Sequence, residues 1–203
     1  AKSLRLENQS KSNAVTIEAN DSIKLTKGKI VNIESGGIGE RYCIDLTCLI
    51  SIGEGMLIGS SASSLALVHG EVISSQYVPS RPFRVNAGPP HSYVLMADGK
   101  TKYIAELTSG DEVMLVSDHG ESRAATIGRL KIEKRPFLRI SWENDYQISN
   151  SIYLQQAETV RVVAGEGQVV SVTNLAVGDS ILCHNSQYAR HIGNQVSISS
   201  KEV

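Results

Sequence analysis

Apolar and polar residues change places along this chain at short intervals, and Gly, Pro, Asn, Asp or Ser closes each run before a helical period is established. The runs Ile30-Val31-Asn32-Ile33, Tyr42-Cys43-Ile44-Asp45, Met56-Leu57-Ile58, Ala66-Leu67-Val68-His69, Arg84-Val85, Tyr93-Val94-Leu95 and Val113-Met114-Leu115-Val116 read as strands, as do Arg123 to Ile132, Leu138 to Trp142, Ser151 to Leu154, Thr159 to Val163 and Ser180 to Cys183. No long helix is expected. Residues 1–24 differ, because Asn8-Gln9-Ser10-Lys11-Ser12-Asn13 breaks any apolar period, and they are predicted to form a weakly packed tail around one short strand from Ala14 to Ile17.

One phrase recurs: an apolar residue, a short polar step, Gly, an acid, then apolar residues again. It reads Ile50-Ser51-Ile52-Gly53-Glu54-Gly55-Met56-Leu57, Leu107-Thr108-Ser109-Gly110-Asp111-Glu112-Val113-Met114 and Leu175-Ala176-Val177-Gly178-Asp179-Ser180-Ile181-Leu182. Physically this is a turn whose Gly takes a conformation costly for other residues and which feeds a half-buried strand, with the acid as turn cap. The fold class expected is therefore mainly β, built of small β-barrel-like units that close their sheet edges. Residues 25–105 are expected to form a first unit and residues 106–203 a second.

Composition narrows the functional classes. At 203 residues with 41% hydrophobic side chains, the chain can bury a core. Twenty Lys and Arg against 21 Asp and Glu leave a net charge of -1, which disfavours nucleic-acid binding driven by bulk charge. Uninterrupted apolar runs such as Leu65-Ala66-Leu67-Val68 fall far short of the ~20 residues a membrane helix needs. The start, Ala1-Lys2-Ser3-Leu4-Arg5, has neither initiator Met nor apolar signal core, so an upstream segment removed or a fragment is expected. Cys43, Cys48 and Cys183 follow no zinc or redox spacing, and reduced thiols in a cytoplasmic setting are the expectation.

Chemistry concentrates in Ser80-Arg81-Pro82-Phe83-Arg84-Val85-Asn86-Ala87-Gly88-Pro89-Pro90-His91. Pro82 fixes the backbone between two arginines, and Arg84 and Asn86 share one side of an extended segment. Guanidinium forks suit carboxylate or phosphate, so this segment can hold an anionic substrate. Just upstream, His69 and Glu71 are two apart and would point the same way on a strand, where they could share a proton or a divalent metal. His91 sits in a turn-like Gly/Pro context. Along Gly128-Arg129-Leu130-Lys131-Ile132-Glu133-Lys134-Arg135-Pro136, Arg129, Lys131, Glu133 and Arg135 occupy one face, either a basic wall for an acidic ligand or a solvated strand face with internal ion pairs. The Gly-rich pieces Gly36-Gly37-Ile38-Gly39 and Gly53-Glu54-Gly55 do not reproduce a dinucleotide fingerprint opening a helix.

Taken in order, these segments resemble the type II, archaeal-type 3-dehydroquinate synthase family. The stretches that carry the resemblance include Gly37-Ile38-Gly39-Glu40-Arg41-Tyr42-Cys43-Ile44-Asp45, Leu67-Val68-His69-Gly70-Glu71, Tyr77-Val78-Pro79-Ser80-Arg81-Pro82-Phe83-Arg84-Val85-Asn86-Ala87-Gly88, Gly99-Lys100-Thr101-Lys102-Tyr103, Gly128 to Pro136 and Arg190-His191-Ile192-Gly193. The resemblance implies the β-rich C-terminal portion of a larger enzyme whose other half is α/β. It implies NAD-dependent oxidative deamination of an aminated seven-carbon sugar acid, then ring closure to 3-dehydroquinate in aromatic amino acid biosynthesis. A sister branch makes an aminohydroxybenzoate with a divalent metal, and a non-catalytic relative serving as a subunit of a larger assembly is a third reading. The expected site residues are His69, Glu71 and His91 as reacting groups, with Arg81, Arg84, Asn86, Lys100, Arg129, Lys131 and Arg135 on an anionic small-molecule substrate. His69 and Glu71 are the candidate metal ligands, the NAD site is expected in the missing N-terminal half or a partner chain, and plastid stroma stands beside cytoplasm as a location.

Overall fold

The computed structural model describes residues 22–186; the strand expected at Ala14 to Ile17 and the Arg190-His191-Ile192-Gly193 segment lie outside the described residues. Among the described residues twelve strands follow one another: β1 Thr26–Leu46, β2 Glu54–Ser61, β3 Ser64–His69, β4 Arg84–Gly88, β5 Tyr93–Leu95, β6 Thr101–Tyr103, β7 Glu112–Ser117, β8 Ser122–Glu143, β9 Ser149–Gln155, β10 Arg161–Val163, β11 Val169–Ser171 and β12 Ser180–Asn185. The helical segments among the described residues are two three-residue 3-10 turns, Ile104–Glu106 and Val172–Asn174. The mainly β class expected from the pattern is what forms.

All strands join one antiparallel sheet, and six of them, in the order β3-β12-β1-β8-β7-β2, close into a ring because β2 also pairs with β3. Closure leaves these six without a free edge, which is how a small β protein avoids edge-to-edge association. The β5–β6 hairpin hangs from β2 and the β10–β11 hairpin from β3, while β4 lies against β1 and β9 against β8. The pairs β1–β8, β1–β12, β2–β7, β3–β12 and β3–β10 carry the hydrogen bonding across the division at residue 105. The series β5, β6, 3-10 turn, β7 recurs as β10, β11, 3-10 turn, β12, every boundary displaced by the same interval.

Two strands are longer than the sequence pattern suggests. Ile30–Ile33 and Tyr42–Asp45 are parts of the single β1, and Arg123–Ile132 and Leu138–Trp142 parts of the single β8. The Gly-rich piece between the first two is a bulge, not a loop: the ladder shifts register between Ser35 and Ile38, and Gly37 takes φ 74° in open space. Pro136 stands opposite Ile38, at the one kind of central position where a residue without an N–H is tolerated.

The recurring turn phrase forms three times alike. Gly53, Gly110 and Gly178 have φ of 88°, 95° and 98°. The N–H groups of Glu54, Asp111 and Asp179 donate to the carbonyls of Ser51, Thr108 and Ala176, at 3.1 Å in each turn. Each acid returns the contact, accepting from the N–H of Ser51 (2.8 Å), Thr108 (3.1 Å) or Ala176 (2.9 Å). The acid is thus a turn cap, as its position beside Gly predicts. Inside the ring, Ile30, Ile44, Met56, Val68, Val85, Leu115, Ile127, Ile140, Trp142 and Ile152 pack as one fully buried core, each contributing roughly 1.5–3 kcal/mol of apolar burial.

Candidate functional site: an arginine-rich face on the central strands

Three strands build this face by alternation. On β1, Arg41, Cys43 and Asp45 point to one side; on β8, in register beside them, stand Glu133, Lys131 and Arg129; on β4, Asn86 and Arg84 stand opposite Cys43 and Asp45. Asp45, 3% exposed, is the hub. It accepts from Arg84 Nε at 2.7 Å and Nη2 at 3.1 Å, a fork-to-carboxylate pair, and from Arg129 Nε at 2.6 Å. Burial pushes the Asp45 carboxyl up, but the hydrogen bonds and charges of Arg84 and Arg129 outweigh it and hold the group below the ordinary carboxylate range.

Glu71 joins the same cluster through the backbone. Arg81-Pro82-Phe83-Arg84 is a tight turn in which the Arg84 N–H donates to the Arg81 carbonyl at 2.9 Å, with Pro82 at the position that suits its fixed φ. Glu71 is stitched to both ends of that turn: its N–H donates to the Arg84 carbonyl and its carbonyl accepts from the Arg81 N–H. Its side chain, 9% exposed, lies 3.5 Å from Arg81 Nη1. Burial raises the Glu71 carboxyl above its ordinary range, against the opposing pull of Arg84, Arg81, Arg41 and Asn86. A buried carboxyl that keeps its proton to higher pH is a group able to hold or deliver one.

At the other end of the face, Arg41 donates from Nη2 to Glu133 at 2.9 Å and from Nη1 to Gln155 Oε1 on β9, and Asn86 Nδ2 donates to the same Gln155 oxygen at 2.8 Å. Glu133 also takes Lys131 Nζ at 3.2 Å and Arg135 Nη2. Six cations thus face three carboxylates. Arg129, Lys131 and Arg135 are the exposed members, whereas Arg41 and Arg84 are sealed in. Cys43, in the middle, is no nucleophile: burial pushes its thiol up to about 11.

The structure therefore brings together Arg81, Arg84, Asn86, Glu71, Arg129, Lys131 and Arg135, and separates the other expected residues from them. His69 ends β3 and is 2% exposed, its Nε2 accepting from the Gly53 N–H at 2.9 Å. Burial lowers its pKa, and the charges that act on it are Arg161 and Asp118, none of those around Glu71. The two-residue spacing fails to pair them because β3 stops at His69 and alternation does not carry past Gly70. His69 therefore holds the Gly53 turn through Nε2, whereas the groups that act on Glu71 are the arginines and Asn86. Lys100 lies elsewhere on the molecule. It follows Gly99 in the β5–β6 hairpin turn and lines a cleft of about 1250 Å³ with Lys24, Lys27, Tyr146 and His184, a cleft that contains none of the arginine cluster. His91 lies against Tyr153 edge-on, ring centroids 5.1 Å apart, in a notch of about 320 Å³ with Gly39, Glu40 and Phe137. Tyr153 and Gln155 share a face of β9, so His91 borders the Gln155 end of the cluster.

Arg41, Asp45 and Gln155 are members that inspection of single motifs overlooks. The alternation Arg41, Cys43, Asp45 within the strand at Tyr42–Asp45 is the signal that could have found the first two, since three consecutive same-side positions combine opposite charges around a cysteine. Gln155 carries no such signal.

Fold and face together define an all-β domain with a cationic surface held in place by buried carboxylates. Residues 27–202 match the family model described as the 3-dehydroquinate synthase II C-terminal domain, and the chain belongs to that family. The 3-dehydroquinate synthase of Methanosphaera stadtmanae is 47% identical over 174 residues, covering 85% of this chain and 48% of that protein. Those of Methanococcus maripaludis strain S2 and Methanocaldococcus jannaschii are each 46% identical over 173 residues, with the same coverage of 85% and 48%. The chain spans about half the length of the curated relatives it matches. No solved structure matches it.

Proposed function

We propose that this chain is the substrate-gripping half of an enzyme that converts an anionic, aminated seven-carbon sugar acid to 3-dehydroquinate by NAD-dependent oxidative deamination and cyclisation. The observation that supports this most is the excess of cations on one face, assembled from three strands that the chain separates widely. In this reading Arg129, Lys131, Arg135 and Arg81 attract and orient the carboxylate, and Arg84 with Asp45 forms the rigid frame beneath them. Glu71 is the group that holds or moves a proton, and His91 stands at the border of the face. The three cysteines, all free thiols, are in keeping with a biosynthetic enzyme of a reducing compartment, cytoplasm or plastid stroma.

NAD, when bound, would accept the hydride. The described residues do not fit a dinucleotide of the usual kind, since their helical segments are three-residue turns that offer no helix N-terminus to a pyrophosphate. Nor do they gather three or more metal-ligating side chains. In this reading NAD is held by the part of the enzyme beyond this chain or by a partner. The test is kinetic, in the protein that carries this domain, following NADH formation from the aminated sugar acid. Removing Arg129 and Lys131 together should cost about 2–4 kcal/mol of kcat/KM, chiefly through KM, with the melting temperature little changed. Unchanged kinetics would reject the role of this face.

A further inference from the structure

The repeated series, β5 to β7 and β10 to β12, matches position for position, and the match extends past the strands. Gly99 answers to Gly167, Lys100 to Gln168, and Asp118, just beyond β7, to Ser186, just beyond β12. The backbone obeys the same rule. The Met96 N–H donates to the Lys100 carbonyl at 2.8 Å and the Ala164 N–H to that of Gln168 at 2.6 Å; the Asp118 N–H donates to Gly53 at 2.9 Å and the Ser186 N–H to Ser63 at 3.0 Å. Neighbouring strands follow too: Leu115 pairs with Arg123 on β8 and its counterpart Cys183 with Thr26 on β1, so Glu121 answers to Lys24.

Two equivalent corners result, each where the hairpin turn of one repeat faces the residue that leaves the last strand of the other. The corner at Gly167 is closed. The Asp118 carboxylate lies against it, so that a Cβ on Gly167 would stand 3.0 Å from Oδ2. The corner at Gly99 is open: a Cβ there would meet nothing within 4 Å, and Gly99 and Ser186 both line the cleft of about 1250 Å³. Charge reverses with occupancy. Where the closed corner has Asp118, Glu121 and Gln168, the open one has Ser186, Lys24 and Lys100. Lys27, also in the cleft, is held by Glu166, but Lys24 and Lys100 make no ion pair among the described residues. His184 Nδ1 donates to the Lys24 carbonyl at 2.9 Å and so holds the backbone beneath that lysine.

A protein carboxylate fills one corner, so an anion from outside suits the other. The residues on either side of 22–186 bring no surplus of acid to it: Lys2, Arg5 and Lys11 stand against Glu7, Glu18 and Asp21, and Arg190 and Lys201 against Glu202. Lysine is a compact point charge that serves phosphate, whereas the arginine forks on the other face suit carboxylate. On the lip of the cleft, Asn144 Oδ1 accepts from the N–H groups of Tyr146 and Ile148 at 3.0 Å each, around Gln147 with φ 60°. That turn leaves Tyr146, 81% exposed, as a flat apolar wall. We infer that the cleft is a second anion site, which takes a phosphate-bearing ligand whose phosphates meet Lys24 and Lys100. It does not depend on the role proposed for the arginine face.

Inorganic pyrophosphate and ADP, each titrated calorimetrically into the domain-bearing protein at one fixed ionic strength, make the test. Both should bind. Ser186→Asp, which gives the open corner the carboxylate of the closed one, should weaken both at least about tenfold, and so should Lys24→Glu combined with Lys100→Gln. Arg129→Ala, on the arginine face, should leave both affinities unchanged. ADP binding more tightly than pyrophosphate, with the difference lost in Tyr146→Ala, identifies a nucleotide as the occupant; equal affinities identify the phosphate group alone, and either result supports the site. Melting temperatures within about 2 °C of the parent separate a loss of binding from a loss of fold. Silence of both probes at millimolar concentration would overturn the inference. So would binding that the Ser186 and lysine variants leave intact, and binding lost only in Arg129→Ala would place the anion on the arginine face instead.

Discussion

Replacing Asp45 by Asn keeps the shape of the side chain and removes the carboxylate charge that is hydrogen-bonded to Arg84. The Asp45 and Arg84 side chains are 4% and 10% exposed, so solvent screens their attraction very little. Breaking a buried pair from one side leaves the other charge uncompensated, a loss of about 3–5 kcal/mol. Arg129 adds little to this figure, because its side chain is 66% exposed and water can replace Asp45 there. For a domain of this size each kcal/mol lowers the melting temperature by about 2–4 °C, so the variant should melt roughly 6–20 °C below the parent at pH 7. Pairing Asp45→Asn with Arg84→Met, which removes the stranded charge as well, should recover much of the loss.

The same carboxyl gives the acid limb its sign. Its folded pKa lies below the unfolded value, so its contribution is complete above the ordinary carboxylate value of about 3.9 and disappears as pH falls through the lower folded value. Asp45→Asn should therefore differ from the parent most at neutral pH and converge with it in strong acid. Differential scanning fluorimetry from pH 2 to pH 8 reads both effects. A variant within about 2 °C of the parent at pH 7 would show that Arg84 needs no buried partner, and the framework role assigned to this pair would be wrong.

Three further outcomes follow from the same geometry. Glu71 has a raised pKa, so its ionised form weighs on the fold above the ordinary carboxylate value of about 4.3; Glu71→Gln should gain thermal stability as pH rises through that window and lose turnover in the domain-bearing enzyme. An equal melting difference at pH 3 and pH 7 would contradict this. The lowered pKa of His69 means that stability declines as pH falls below the ordinary imidazole value of about 6.5, and His69→Gln, which can still accept from Gly53, should flatten that limb in a pH series of melting curves. A Cβ on Gly55 would come within 1.9 Å of the Val68 carbonyl, whereas at Gly110 it meets open space and only the φ of 95° resists it; Gly55→Ala should fail to give folded protein while Gly110→Ala melts with a loss of about 1–2 kcal/mol.

Local chemistry was the most legible part of this chain. The three Gly-acid turns were readable residue by residue because every interaction in them spans three or four positions, and the strand content was readable because alternation is a local property. What the sequence does not display is continuity. Gly36-Gly37 looks like an interruption, and only the ladder that resumes beyond it, with Ile38 opposite Pro136, makes it a bulge within one long strand. Likewise the pairings β1–β8, β2–β7 and β3–β12 bring strands from either side of residue 105 into one ring, and nothing local marks which distant strand each will meet.

The candidate site divides along the same line. Arg81, Arg84 and Asn86 stood out because one short segment carries them all around a proline, yet what Arg84 does is set by Asp45, thirty-nine positions away in sequence, which alone looks like any strand-end acid. His69 and Glu71 show the converse: they are neighbours in sequence, yet the imidazole holds a turn and the carboxyl meets the arginines. Buried charge is costly unless partnered, so each arginine read from sequence as a grip implies a carboxylate somewhere on the same face. Only the cations still reached by solvent once those partners are found, here Arg81, Arg129, Lys131 and Arg135, are placed to meet a ligand from solution. That ordering, frame first and grip second, is why Asp45→Asn should unfold the domain before it changes specificity, while Arg129→Ala should do the reverse.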